Sequence, residues 1–167
     1  HPALGGFGYD IDGRLFNLDT LKFFEVLVGM KRAGTLGALR RVKGRRIVWE
    51  IGGGWGGFAY QFKRLFPETT YVITDLPELF LFSATYLRTV FPSAKTLMWA
   101  PGMSPAERKR WREYDFIFVP NTRVEDLPGF QPHLLVNIAS FQEMTSMQVA
   151  AYAVLATRGR CRLCYSL

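Results

Sequence analysis

Residues 47–57 read Ile47-Val48-Trp49-Glu50-Ile51-Gly52-Gly53-Gly54-Trp55-Gly56-Gly57. The first five form a short apolar run with β-branched residues, the pattern of a buried strand. It breaks into a segment, 52–57, in which five of six residues are glycine. One or two glycines suffice for a tight turn. Five also open left-handed backbone conformations and remove the Cβ atoms that would keep a ligand from the main chain. Phe58, Phe62, Leu65 and Phe66 then mark one face of a helix that stops at Pro67. Strand, bare loop and helix in this order are the ligand-binding unit of open α/β sheets.

Toward the carboxyl end the alternation continues. A strand over 70–74 ends at Asp75-Leu76-Pro77, and a Phe-rich helix over 78–90 stops before Pro92. A short strand is predicted over 95–99, a charged surface helix over 106–113, and apolar strands over 116–119 and 134–139. Thr145 with Gln148 is a capping-box start for a helix over 146–156; Gly159 ends it, and 160–165 reads as a last strand. Toward the amino end, 1–16 is Gly-rich and irregular. Asn17 or Asp19 then caps an apolar helix carrying Leu21, Phe24, Leu27 and Val28 to about Met30, followed by a short basic linker. The predicted fold is α/β: Rossmann-like, doubly wound, with a mainly parallel sheet. The expected organisation is one compact domain, with an irregular segment and apolar helix over 1–44 and the ligand-binding core over 45–167.

Composition narrows the class. At 167 residues with 49% apolar and 21% charged residues, the chain has room for one domain with a real core and is not disordered. Cys161 and Cys164 are the two cysteines, too few for a disulfide scaffold or a four-cysteine zinc site, and their C-x-x-C spacing lacks a following helix. No apolar run approaches the ~18 residues that span a bilayer. The expected compartment is cytoplasmic, and the start at His1 predicts a piece of something longer. The net charge is +7, but the basic residues fall in short clusters over 40–46, 108–112 and 158–162. Aromatic-basic alternation is missing, so a solvated surface is expected and a nucleic-acid partner is not.

Gly52-x-Gly54-x-x-Gly57 also fits the dinucleotide fingerprint of nicotinamide-dependent oxidoreductases. Glu50 favours a different ligand. An anion two residues before the first glycine repels a pyrophosphate and suits a ligand carrying an ammonium and a sulfonium, as S-adenosylmethionine does. Asp75, at the end of the next strand, can accept two ribose hydroxyls for either cofactor class.

Three segments resemble the sugar O-methyltransferase family: 48–57; Tyr71-Val72-Ile73-Thr74-Asp75-Leu76-Pro77-Glu78; and Asn137-Ile138-Ala139-Ser140-Phe141-Gln142-Glu143-Met144. The resemblance spans roughly 17–167. It implies a class I S-adenosylmethionine-dependent enzyme of bacterial polysaccharide settings, with a small-molecule or glycan acceptor. The resemblance implies the seven strands of that class, of which this stretch is expected to stop at the fifth, near Leu167. An exposed fifth strand makes association of copies through that edge a further expectation.

The cofactor seat is expected at Glu50, Gly52, Gly53, Gly54, Trp55 and Gly56, at Asp75 and Leu76, and at Asn121 and Asn137. Trp55 either walls the pocket or packs on the first helix, and Asn121 reads equally as an adenine contact or a turn residue. Glu143 is the one carboxylate at the end of the fourth strand and the candidate general base; the alternative is a plain acid in the first turn of a helix. Ser140 and Gln142 are candidate substrate positioners. No metal is expected, because Asn137, Ser140 and Gln142 stand where clustered carboxylates and histidines would be needed. His133 is assigned to the opposite end of the sheet. A cofactor-binding module without catalysis is the alternative outside enzymes.

Overall fold

The computed structural model describes residues 8–167; the first part of the expected irregular segment, with Gly5 and Gly6, lies outside them. Six parallel strands make the main sheet: β3 (Arg46–Ile51), β4 (Thr69–Asp75), β5 (Thr96–Met98), β6 (Phe116–Pro120), β7 (Leu134–Asn137) and β8 (Leu163–Ser166). Their order is β5-β6-β4-β3-β7-β8, with every neighbouring pair parallel. The fold is therefore α/β and Rossmann-like, doubly wound.

Side-chain parity along the strands divides the core in two. Val48, Tyr71, Ile73, Phe116 and Phe118 face one side. They are covered there by α1 (Leu18–Arg32), α2 (Thr35–Arg40), α3 (Gly57–Leu65) and α4 (Phe80–Val90). Ile47, Trp49, Ile51, Val72 and Ile117 face the other side, under α6 (Ser146–Arg158) and the segment that holds Trp99, Trp111 and Leu127. Trp49 sits fully buried on this second face, where its Nε1 donates to Thr74 Oγ1 at 2.8 Å. The fully buried aromatics differ between the faces, chiefly phenylalanines with Tyr71 on the first and Trp49 and Trp111 on the second.

Local chemistry explains the element ends. Asn17 caps α1 by accepting from the Thr20 amide at 2.7 Å. Pro77 opens a 3-10 turn before α4, so the α-helix itself begins at Phe80. Both halves of the capping box at Thr145 and Gln148 are formed.

Three expectations need correction. Within the segment expected to be irregular, β1 (Tyr9–Ile11) and β2 (Arg14–Phe16) pair as an antiparallel hairpin. The expected basic linker contains α2, because Leu36 and Leu39 bury themselves in the core. The expected charged helix is broken into α5 (Pro105–Lys109) and a 3-10 turn at Trp111–Glu113. Fully buried Trp111 donates to the Pro128 carbonyl at 3.0 Å and pulls the chain inward. No helix among the described residues is long and apolar enough to cross a membrane.

Candidate functional site

β3 is the point where the winding reverses. β4, β6 and β5 lie on one side of it, β7 and β8 on the other. The crevice above such a point receives ligands in sheets of this kind. The loop from Gly52 to Gly56 fills it, with φ of +75° at Gly52, +51° at Gly54 and +87° at Gly56. Each glycine has its own reason. A Cβ on Gly52 would overlap Ser140, and one on Gly53 would overlap Ile73. Gly54 is exposed, and a Cβ there would meet nothing within 4 Å, which marks the open side of the loop. Gly56 begins α3 with no side-chain cap, so the first amides of that helix keep their donors free of side-chain acceptors.

Glu50 lies beneath the loop, 2% exposed, on the sheet face shared with Tyr71 and Asp75. Burial pushes its carboxyl up to about 8; the facing Tyr71 hydroxyl opposes the rise and the Asp75 charge adds to it. Among the described residues, neither Oε2 of Glu50 nor the Tyr71 hydroxyl has a partner at hydrogen-bond geometry. Such a group is costly to bury unless something else completes it.

Asp75 ties the next strand to the loop. Its Oδ2 accepts from the Gly54 amide at 2.9 Å and its Oδ1 from the Leu76 amide at 2.8 Å. Burial raises this carboxyl, the amides of Leu76, Gly54 and Gly53 draw it partway back, and the Glu143 charge raises it further. A carboxylate has about four lone-pair sites, so acceptor capacity remains on both oxygens. Leu76 is exposed beside it. Asn121 follows β6, and its amide donates to the Asp75 carbonyl at 3.0 Å, at the same end of the sheet.

On the other flank Asn137 is fully buried. Its side-chain amide donates to the Ile51 carbonyl at 3.2 Å and also bonds the Ser140 hydroxyl. Ser140 itself donates to the Ile51 carbonyl at 2.8 Å. These two side chains anchor the base of the glycine loop from β7. Gln142 and Glu143 are exposed on the 3-10 turn Ser140–Glu143 that follows. Trp55 packs against Phe23 of α1 and, at 4.9 Å between ring centroids, Tyr86 of α4; its Nε1 donates to Asp19 at 3.0 Å. His133 lies at the far end of β7, where Nδ1 accepts from the Ile47 amide at 2.9 Å and extends the β3–β7 ladder. No group of three or more His, Cys, Asp or Glu placed to hold a metal ion occurs among the described residues.

One participant escaped sequence reasoning. Tyr71 reads as an ordinary strand residue, yet the parallel register sets it opposite Val48, one pleat below Glu50 on the same face. The available signal was the shared parity of positions 48, 50, 71 and 75.

No protein-family model matches the chain, and neither does any curated protein. Among solved structures the chain is similar to precorrin-6y C5,15-methyltransferase from Geobacter metallireducens GS-15. The identity is 18% over 65% of this chain and 47% of that one, with a TM-score of 0.41. It is also similar to a chain from the complex between the Haloferax volcanii Trm112 methyltransferase activator and a methyltransferase, at 14% identity over 77% of this chain and 50% of that one, with a TM-score of 0.33. The chain thus spans about half the length of these two structures.

Proposed function

We propose that the chain is an S-adenosylmethionine-dependent O-methyltransferase acting on a hydroxyl of a sugar or related small molecule. One observation carries the reading: a buried carboxyl with an oxygen unpartnered among the described residues, Glu50, lies beneath a glycine loop that is open at Gly54, at the reversal point of the sheet. A neighbouring ammonium would complete that oxygen and draw the carboxyl back to its charged form. A pyrophosphate would do neither.

The residues present fit this cofactor. Glu50 would take the ammonium and the uncapped amides at the start of α3 the carboxylate. The free lone pairs of Asp75 would take the ribose hydroxyls, and Leu76 and Asn121 lie beside it for the base. Asn137 and Ser140 hold the loop in place from below. When bound, the cofactor supplies an electrophilic methyl group for in-line displacement by an oxygen nucleophile. Glu143, exposed on the turn after β7 and close enough for its charge to act on Asp75, would accept the proton of the acceptor hydroxyl, with Gln142 orienting that acceptor.

Calorimetric titration with S-adenosylhomocysteine, beside a parallel titration with a reduced nicotinamide cofactor, tests the assignment. Heat from the first and none from the second is expected, and, in a separate assay with methyl-labelled S-adenosylmethionine, transfer of the label to a sugar acceptor. Binding of the nicotinamide alone would move the chain to the oxidoreductases. S-adenosylhomocysteine binding without transfer to any acceptor would leave a cofactor-binding module.

A further inference from the structure

The three basic clusters of the sequence, far apart along the chain, come together at the amino end of the sheet, the end opposite the glycine loop. A cavity of about 830 Å³ opens there between the start of β3, the approach to β7 and the turn between α6 and β8. Arg41, Arg45, Arg112, Arg160 and Arg162 line it together with His133, and no carboxylate does.

Two of the five guanidinium groups are already engaged. Arg45 pairs with Asp115 at 2.7 Å, and one nitrogen of Arg112 donates to the Gly129 carbonyl. The side chains of Arg41, Arg160 and Arg162 have neither a hydrogen bond nor an ion pair among the described residues. Like charges gathered around one concavity repel each other, and an anion placed among them relieves that repulsion. Guanidinium forks match the oxygens of phosphate in pairs, which lysines in the same places would not do.

The backbone supplies an independent sign. Arg160 follows the end of α6 with φ of +53°, a left-handed position that glycine occupies at low cost and arginine does not. Gly159, one residue earlier, has an ordinary φ of −73° and is required for packing, since a Cβ there would press on the Phe130 carbonyl and Pro132 at 3.0 Å. The strained position thus holds a long cationic side chain that lines the cavity. Strain kept where an uncharged, unstrained residue would serve the fold better points to a use for the charge. Val42, Ile47 and Leu163 add an apolar wall, suited to an organic body behind the charged groups.

We propose that this cavity binds a small anion bearing at least two phosphate groups, as a second site separate from the glycine loop. A concave site of this size fits a compact polyphosphate better than a long, regular nucleic-acid backbone, which calls for a stripe. Inorganic tripolyphosphate is the probe, titrated calorimetrically into the full chain at about 150 mM salt, the physiological range. One site is expected, weakened at least tenfold in Arg41→Gln, Arg162→Gln and Arg160→Gly. The last substitution relieves the backbone, so its folding is secure. S-adenosylhomocysteine binding should stay unchanged in all three, and tripolyphosphate binding unchanged in Glu50→Gln, which keeps this test separate from that of the cofactor reading. Unaltered tripolyphosphate affinity in the three arginine variants overturns the proposal. So does equal competition by sulfate, which means generic ion pairing. Tighter, length-dependent binding of a single-stranded oligonucleotide also overturns it, in favour of a nucleic-acid surface.

Discussion

Glu50 concentrates the tension of the site. Its carboxyl sits at about 8 in the folded chain against 4.5 when unfolded, chiefly because burial disfavours the charge. The native state therefore holds this proton more tightly than the unfolded one. Stability falls as pH rises between those two values, and the deficit is complete above about 8. Glu50→Gln, which mimics the protonated acid, should stabilise the chain at pH 9 by on the order of 4–5 kcal/mol and change little near pH 4. Thermal melts at the two pH values check it. The same substitution should weaken S-adenosylhomocysteine at least tenfold. In the parent chain that affinity should rise with pH up to about 8, with one proton released on binding, measurable by titration in buffers of different ionisation heat. At Glu143 the expectation is a loss of turnover of about a hundredfold in Glu143→Gln, the usual scale for removing a general base, with S-adenosylhomocysteine binding within twofold of the parent. Unchanged turnover would remove this residue from the mechanism. Glu50 and Asp75 were legible in the sequence from their places, one two residues before the glycines and the other at the end of the next strand. That Tyr71 faces Glu50, and that loop amides already occupy Asp75, was not. Alternation names a face but says nothing of what covers it.

Among the elements, those with strong periodicity or a capping signature were legible: the strands at 46–51 and 69–75, the helix after the glycine loop, and the helix begun by Thr145. Thr145→Ala removes the hydroxyl that accepts from the Gln148 amide, while the amide of residue 145 keeps its bond to the Gln148 side chain; the loss should cost roughly 1 kcal/mol, read as a lower urea midpoint with unchanged slope. The hairpin escaped notice although Asp12-Gly13 is a strong turn signal. Both residues take positive φ, 52° and 72°, as a two-residue turn of this hand requires. Its flanking strands are three residues long, and the exposed Tyr9, Ile11 and Leu15 give no inside–outside contrast to read. The broken helix at 105–113 is a different failure. Charge outnumbers apolar residues there, and a single tryptophan decides the path. Trp111→Ala should destabilise by about 3–5 kcal/mol, because the indole is fully enclosed and its nitrogen holds Pro128.

For the molecule as a whole, Asp115 is the clasp between layers. It reaches Arg45 ahead of β3 at 2.7 Å and the buried Lys63 of α3 at 3.0 Å, while its Oδ2 accepts from the Lys95 amide beside β5. Burial alone would raise this carboxyl, but the Lys95 amide, Arg45 and Lys63 outweigh it and hold it below its ordinary value. The stability it contributes is present above the unfolded value of 3.8 and lost as pH falls through the lower folded value. Asp115→Asn takes away the charge that balances the buried Lys63 ammonium, leaving it the Thr69 carbonyl, the Phe116 ring and a neutral amide oxygen, and should cost about 1–2 kcal/mol at pH 7 in chemical denaturation.

The all-parallel order of the main sheet also governs how the molecule is made. No two of its neighbouring strands are joined by a tight turn, and the Ile51 carbonyl under the glycine loop waits for an asparagine 86 residues further on. A chain leaving the ribosome would hold the loop unanchored until most of its length had emerged. In a test tube, rapid dilution from denaturant should show tryptophan fluorescence returning in milliseconds to seconds, the slow regime of distant pairings.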